Sequence, residues 1–350
     1  MVTSLALHNF RSHKNVSWTL DNGVTCIVGA NAAGKTNILE AMMLLATGRS
    51  FRASIDREMI RWGEEVTRIS GKTKDATVEI IITPGEVSGQ KAPLKRYLVN
   101  GVPRRVIDMI GHIRAVLFWP EDLEIVTDSP SIRRRYLDTV LVQVDREYRR
   151  NLLSYERGIR QRNKLLDLIA EGKASRSQLL FWDQLLIKAG GYITEKRVAF
   201  IEFVNTTAIT GHTFMVSYDK SVISEARLDQ YSQEEVYAKS TLVGPHRDDF
   251  ALFSQSHEED GASFRDVSKF GSRGQQRLVV LWLKLAELSY IERETGDRPV
   301  LLLDDIFSEL DISHRELIAS VVQKQQTIIT SADKESVPRE LQNIARIISL

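Results

Sequence analysis

The strongest constraint on the fold is an octapeptide near the amino terminus that follows an apolar run. Residues 29–36 fit the pattern G-x-x-x-x-G-K-[ST]. The β-rich segment 23–28 precedes them, and residues 37–47 have the composition of a helix. In such a strand–loop–helix unit, glycines let backbone N–H groups turn towards phosphate oxygens, and the helix N-terminus adds positive potential. The pattern therefore predicts a site for a nucleoside triphosphate.

Two side chains of this loop have predicted roles. Lys35 would neutralise the β- and γ-phosphates, and the Thr36 hydroxyl would bind Mg²⁺. A plain glycine-rich turn between a strand and a helix is the weaker alternative. The complete predicted phosphate loop is Gly29, Ala30, Asn31, Ala32, Ala33, Gly34, Lys35 and Thr36.

A second site signal is an apolar run that ends in two acids. Residues 299–305 read Pro-Val-Leu-Leu-Leu-Asp-Asp. A buried strand carries acids where it emerges at the ligand crevice of an α/β sheet. We predict that Asp304 holds the Mg²⁺ shell and that Asp305 polarises the attacking water. Adjacent strand residues point to opposite faces, so the two roles must differ.

Length and composition bound the class of protein. A chain of 350 residues suits two lobes, and 43% hydrophobic with 27% charged residues is typical of a soluble globular protein. A net charge of +1 gives no whole-chain argument for nucleic acid. A single cysteine, Cys26, excludes an internal disulfide framework and a cysteine metal cluster. We saw no signal peptide and no bilayer-spanning run, and we expect a cytoplasmic protein without a membrane partner.

The middle of the chain is predicted to be helical and basic. Glycine and proline are scarce over residues 131–203, and residues 130–176 carry twelve basic residues against six acids. The run Arg133, Arg134 and Arg135 is a candidate DNA contact, with a solvated helix face and lobe packing as alternatives. Further on, we predict a strand at 249–253 and a polar hairpin loop at 254–262.

A third motif precedes a predicted helix at 274–294. Ser272, Arg273, Gly274 and Gln275 resemble the ABC signature, in which a serine, a glycine and a helix N-terminus bind the γ-phosphate of a second protomer's nucleotide. An ordinary helix start capped by Ser272 is an equally weighted alternative. Ser308 and Asp311 follow the acidic strand at the position of the ABC D-loop. The role of residues 244–249, Gly-Pro-His-Arg-Asp-Asp, stays open.

These motifs and others spread over the whole chain resemble the RecF family of bacterial P-loop ATPases. The matching segments are 9–11, 29–37, 48–52, 100–101, 118–123, 129–138, 244–249, 272–276 and 303–311. The resemblance implies an α/β fold: an ABC-ATPase head with a second, mainly helical lobe and no long coiled coil. The expected lobes are 1–125 with 265–350, and 126–264.

The resemblance also implies a function. It implies an ATP- and Mg²⁺-dependent homodimer that binds single-stranded or gapped DNA and weakly hydrolyses ATP. Arg11 would reach the nucleotide phosphates. RecR and RecO would be partners in gap repair, supporting RecA loading, replication restart and SOS induction. An ABC head subunit of another DNA or transport complex and a small-molecule P-loop kinase are the alternatives.

Three positions depart from the family pattern. The family often has glycine where Ala32 stands, and many ABC proteins have glutamate where Asp305 stands, so slow turnover is expected. A switch histidine is missing after the final predicted strand, where Thr330 or Ser331 occurs.

Overall fold

The computed structural model describes residues 1–209, 211–258, 261–308, 318–333 and 335–350, with the backbone alone at 256–258, 261–262 and 308. The chain divides into a first unit, residues 1–122 with 287–350, and a second unit, residues 123–286. Segment 265–286, expected in the first lobe, thus falls in the second unit. A physical reason is that the strand ending at Asp266 pairs with a strand of that unit.

Sixteen strands lie in the described part of the chain, and several coincide with the apolar runs of the sequence. The segments 23–28, 249–253 and 299–304, predicted from the sequence to form strands, overlap the strands Val24–Val28, Asp249–Glu258 and Val300–Asp304. The strands are β1 Val2–Phe10, β2 His13–Thr19, β3 Val24–Val28, β4 Thr67–Thr73, β5 Thr77–Ile82, β6 Glu86–Val87, β7 Gln90–Lys91, β8 Lys95–Val99, β9 Val102–Arg104, β10 Ala115–Phe118, β11 Phe214–Asp219, β12 Asp249–Glu258, β13 Gly261–Asp266, β14 Val300–Asp304, β15 Thr327–Ser331 and β16 Arg346–Ser349.

The longest helices occupy the segment predicted to be helical. No helix of the described residues is long and apolar enough to cross a membrane. The helices are α1 Lys35–Thr47, α2 Val106–Met109, α3 Glu124–Thr127, α4 Pro130–Val144, α5 Arg146–Ala170, α6 Leu180–Thr206, α7 Glu225–Gln230, α8 Ser232–Ala238, α9 Val267–Phe270, α10 Arg273–Thr295 and α11 Arg339–Ile344.

The first unit contains a five-stranded parallel sheet in the order β10-β14-β15-β3-β16. Because all its strands run parallel, their carboxyl ends meet at one edge, where α/β proteins bind ligands. Strands β14 and β15 are buried at every residue, as expected of strands covered on both faces. The phosphate loop follows β3 and Asp304 ends β14, with β15 between these two strands. The topology thus brings together parts of the site that are far apart in sequence.

Helix α1 packs against a second, antiparallel sheet as well. That sheet has the order β2-β1-β4-β5-β8-β9, and α1 contacts strands of both sheets. Apart from Thr36 and Asn37, every residue of α1 is buried. A helix buried all round belongs in the core rather than on a surface. The phosphate loop therefore leads into a helix that is enclosed by the core of the first unit.

The second unit combines long helices with the three-stranded antiparallel sheet β11-β12-β13. Helices α5 and α6 pack against each other, and α6 also contacts β11. The predicted hairpin loop at 254–262 is wrong in extent, because β12 continues to Glu258 and β13 begins at Gly261. Residues 263–265 of β13 are exposed, and the apolar side chain of Phe264 is among them.

A buried guanidinium organises the interior of the second unit. Arg197 of α6 is 2% exposed. It donates to Asp248 at 3.0 Å, to the Pro245 carbonyl oxygen at 2.7 Å and to Asp138 at 2.8 Å. A buried charge requires such pairing and hydrogen bonding. Segment 244–249, whose role the sequence leaves open, therefore stabilises this interior.

His246 belongs to the same segment and is neutral. Its Nε2 lies 3.0 Å from the Thr241 carbonyl oxygen, and its Nδ1 lies 2.9 Å from the Tyr155 hydroxyl. Since a carbonyl oxygen only accepts, Nε2 donates to Thr241, and Nδ1 accepts from Tyr155. Burial lowers the pKa of His246 to about 4.

We expect His246→Gln to reduce the acid sensitivity of folding. An unfolded histidine titrates near pH 6.5, so the unfolded chain binds more protons than the folded one between pH 6.5 and 4. The free energy of unfolding should therefore fall as the pH falls through this window. Urea titrations at about pH 7.5 and 5.5 should give a drop smaller by about 1 kcal/mol in the variant. Exposed His212→Gln is the control, and a wild-type drop in His246→Gln would contradict the assignment.

Candidate nucleotide-binding site

The phosphate loop contains two residues with left-handed backbone conformation. Ala32 has a φ of 66° and Gly34 a φ of 97°. Glycine adopts such a φ freely, whereas a residue with a Cβ is disfavoured there by about 1–2 kcal/mol. A Cβ on Gly34 would also lie 2.5 Å from the Ser12 Oγ. No side chain caps the start of α1 at Gly34. The Asn37 N–H donates to the Gly34 carbonyl oxygen at 3.1 Å, so the N–H groups of Lys35 and Thr36 are the first-turn donors that can bind an anion.

Lys35 folds back along the loop to which it belongs. Its Nζ donates to the carbonyl oxygens of Gly29 at 2.6 Å and Ala30 at 3.0 Å. The side chain is largely buried, and the loop carbonyls fix the position of the ammonium. Its charge therefore lies on the same loop as the backbone N–H groups, as phosphate binding requires.

Hydroxyl oxygens from two elements, α1 and β15, converge on Asp304. The Thr36 hydroxyl donates to Asp304 Oδ1 at 3.1 Å, and the Thr330 hydroxyl donates to the same oxygen at 2.6 Å. Within the described residues, no group of three or more His, Cys, Asp or Glu is arranged to hold a metal. The hydroxyl and carboxylate present fit Mg²⁺, which takes a few protein oxygens together with phosphate and water.

Asp305 follows the strand rather than continuing it. It has a φ of 50°, and its N–H donates to the Thr330 carbonyl oxygen at 3.1 Å. The expected alternation of Asp304 and Asp305 along a strand does not apply, because β14 ends at Asp304. Thr330, one of the two residues in the region where the resemblance led us to expect a histidine, thus contacts both aspartates.

The turn between β1 and β2 contacts the end of the phosphate loop. The Asn37 amide donates to the Ser12 Oγ at 3.0 Å, and His13 Nε2 lies 3.1 Å from the Gly34 carbonyl oxygen. His13 is 7% exposed. Because the carbonyl accepts, Nε2 is the donor. The turn therefore supports the loop where it enters α1.

Arg11, predicted to reach the nucleotide, is bound by Glu40 of α1. Its Nε and Nη2 donate to the two Glu40 oxygens at 2.9 and 2.7 Å, and its Nη1 donates to the Glu58 carbonyl oxygen at 2.8 Å. The Ser50 hydroxyl also donates to Glu40, at 2.5 Å. Glu40 is fully buried. This carboxylate therefore ties the β1–β2 turn and the segment after α1 to the helix, and a phosphate contact by Arg11 stays a prediction.

Sequence reasoning missed four of these supporting residues. One had a usable signal: Glu40 is an acid within the apolar stretch of α1, and acids are almost never fully buried without a partner. Ser12 and His13 contact residues more than twenty positions away, so no local pattern marks them. Ser50 lies in the matching segment 48–52, but its contact with Glu40 was not predicted. The four are Ser12, His13, Glu40 and Ser50.

The predicted signature residues begin helix α10 in the second unit. Ser272 Oγ accepts from the Gln275 N–H at 3.3 Å, and Gln275 Oε1 accepts from the Ser272 N–H at 2.9 Å. This reciprocal pair is a capping box. With Arg273 and Gly274, both residues are exposed. The local structure is thus the capped helix start, and contact with a second protomer's nucleotide stays a prediction.

The predicted D-loop is described in part. A 3₁₀ turn covers Ile306–Ser308 directly after Asp305, and Phe307 is buried within it. Asp311 lies outside the described residues, as does the side chain of Ser308. Both roles stay predictions.

The three arginines proposed as DNA contacts have different surroundings. Arg133 donates to both Asp249 oxygens, at 2.6 and 3.0 Å, and Arg134 donates to the Asp248 carbonyl oxygen at 2.7 Å. Arg135 is exposed. This arrangement favours packing within the second unit for the first two.

Known proteins match this chain over its whole length. The model of the RecF/RecN/SMC N terminal domain matches residues 1–349. The DNA replication and repair protein RecF of Herpetosiphon aurantiacus is 39% identical, over 99% of this chain and 97% of its own length. The RecF protein of Lachnoclostridium phytofermentans is 36% identical, over 96% of this chain and 93% of its own length. The chain belongs to the RecF family.

Solved structures agree with the RecF assignment. The structure of the recombination mediator protein RecF-ATPrS in the RecFOR pathway has a TM-score of 0.85 and 31% identity, and covers 100% of this chain and 96% of that one. An Smc head bound to the C-winged helix domain of ScpA has a TM-score of 0.52 at 17% identity. The match covers 99% of this chain and 93% of that one, and it supports the fold alone. The predicted ABC-ATPase head fold is thereby confirmed.

We expect Ala32→Gly to stabilise this RecF-family chain in the absence of nucleotide. The substitution removes the left-handed strain of Ala32, about 1–2 kcal/mol, against a backbone entropy loss of about 0.4–1 kcal/mol. Ala32 is exposed, so little packing is lost. Its neighbour Ala33, without a positive φ, is the matched control, and Ala33→Gly should destabilise. Chemical unfolding measures both changes, and a loss of stability in both variants would refute the strain argument.

We expect Glu40→Gln to destabilise the first unit by on the order of 3 kcal/mol. The amide leaves the Arg11 guanidinium without its charged partner in a largely buried position. The exposed Glu86→Gln is the control and should stay within about 0.5 kcal/mol of wild type. Urea titration measures both, and equal stabilities for the two variants would show that the Glu40 pair contributes nothing.

Proposed function

We propose that this chain is an ATP-dependent DNA-binding protein of the recombinational repair of single-strand gaps. In this proposal it dimerises on ATP, hydrolyses ATP weakly, and acts with RecR and RecO to support RecA loading, replication restart and SOS induction. The similar structures described as RecF-ATPrS and RecF-ATP in the RecFOR pathway support both the nucleotide and the pathway.

The observation that carries the nucleotide part is the contact between Thr36 and Asp304. These residues are 268 positions apart, yet their side-chain oxygens lie 3.1 Å apart. A hydroxyl at the start of α1 beside a carboxylate at the end of a parallel strand is the oxygen pair that Mg²⁺ needs next to a phosphate loop. Mg²⁺ bound there would offset the phosphate charge.

In the proposed mechanism, side chains and backbone groups of the protein bind the phosphates and position the water. Lys35 and the N–H groups at the start of α1 bind the phosphates, while Glu40 and His13 hold the surrounding segments in place. Asp305 orients the attacking water. Its carboxylate is one methylene shorter than the glutamate of many ABC proteins, so turnover is slow.

Dimerisation follows from the position of the capped helix start. Ser272 and Gly274 of one protomer cap the nucleotide bound by the other, with the N–H groups at the start of α10 directed at the γ-phosphate. The exposure of these residues supports this role. Because the γ-phosphate contacts both chains, hydrolysis removes part of the interface and reopens the dimer.

Light scattering with ATP and Mg²⁺ tests the proposal. We expect the wild-type mass to double, and Lys35→Met to remain a single chain because the phosphate charge is no longer offset. ATP-stimulated DNA binding should be lost in the same variant. Lys74→Met, at an exposed position of the first unit, is the matched control and should behave as wild type.

Two outcomes would contradict the proposal. If the wild type binds a fluorescent ATP analogue yet keeps the mass of one chain, the clamp mechanism is wrong. If ATP turnover responds to small metabolites and not to DNA, a kinase-like activity replaces the repair function.

A further inference from the structure

The cations of helix α5 fall into buried and exposed groups. Among the buried ones, Arg149 donates to the Val142 carbonyl oxygen at 2.5 Å. Arg162 pairs with Asp183 at 2.6 Å and Glu235 at 2.7 Å. These two arginines serve the interior of the second unit and are not available to a partner.

The exposed cations share one face of the helix, where exposed Leu153 separates Arg150 from Arg157. Of the nine exposed residues of α5, five are cations and one, Glu147, is an acid. At about 100° and 1.5 Å per residue, the five cations fall within an arc of about 80° and span about 27 Å. We call this set the basic stripe: Arg146, Arg150, Arg157, Arg160 and Lys164.

The opposite face of α5 fixes the direction of the stripe. A Cβ on Gly158 would lie 2.8 Å from Leu185 Cδ2 and 2.9 Å from Leu186 Cδ2, so α5 and α6 approach closely there. Tyr155 and Leu166 on this face are 3% and 1% exposed. Turning the stripe away from solvent would require exposing these apolar side chains.

Acidic neighbours leave the stripe strongly positive. Glu147 lies 3.1 Å from Arg150, but both side chains are about half exposed, so this pair is weak. Glu156 is partly buried at the flank of the stripe. Asp167, near the end of α5, pairs at 2.6 Å with Lys239, which follows the last residue of α8.

We infer that the basic stripe of α5 binds the sugar–phosphate backbone of DNA. The inference rests on the proposed function and locates the DNA surface on α5 rather than at Arg133 and Arg134. A line of cations matches a polyanion, and long exposed Arg and Lys side chains bind phosphates without selecting a base sequence. Binding should therefore depend strongly on salt and weakly on sequence.

The test compares two double variants that remove the same charge from exposed sites of the second unit. Arg157→Gln with Lys164→Gln removes stripe charges, and Lys188→Gln with Lys220→Gln is the control. Affinity is measured with ATP and Mg²⁺ at about 50–200 mM salt, for a duplex of about 30 base pairs and one of its strands. The stripe variant should lose roughly tenfold in affinity at the upper salt, and its salt slope should become shallower by about 1 per lost phosphate contact. The control should match wild type.

The possible outcomes distinguish a failure of the basic stripe as the DNA surface from a failure of the proposed DNA-binding function. A stripe variant with wild-type affinity and slope for both DNAs overturns the inference while the proposed function stands, and so does an equal loss in the control. A wild type that binds neither DNA removes the proposed function and the inference with it. Loss with one probe supports the stripe as the surface for that DNA form. Melting temperatures verify folding, and Arg160→Gln gives the same test if the double variant is unstable.

Discussion

The first unit depends on the burial of helix α1 between its two sheets. The helix contacts strands of both sheets, and its apolar residues are almost fully enclosed. A buried helix cannot shift without opening contacts on several sides, since protein interiors are close-packed. Its first residue, Lys35, and the preceding loop are therefore held in one position. The rigidity that phosphate binding needs comes from the core rather than from the loop itself.

Buried charge follows the same logic in both units. Glu40 lies at the centre of the first unit with Arg11, and Arg197 lies in the second with Asp248. Each pair joins segments distant in sequence, so each charge is tolerated only where the correct fold supplies its partner. The pairs thus restrict which turns and loops can contact a given helix.

The sequence predicted the site where local patterns carry the information. The phosphate loop and the acidic strand end could be recognised because glycine spacing and an apolar run are local features. Strands β2 and β4 were missed because most of their residues are polar; β4 alternates in burial, but three of its four buried residues are threonine or glycine. Strand β16, which pairs with β3 at the sheet edge, was missed because its four residues include only two apolar ones, too few to show a pattern. Contacts such as that of His13 with Gly34 depend on tertiary structure and leave no local trace.

The same limit bears on the predicted DNA contact at residues 133–135, which rested on the local density of basic residues. The segment 130–176 is basic as a whole, and the triplet at 133–135 is its densest part. Density in sequence is not density on a surface, because consecutive helix residues point about 100° apart. Arg133 and Arg134 consequently reach acceptors inside the second unit. Cations spaced by three, four or seven residues share one face, so the more dispersed residues of α5 produce the denser positive surface.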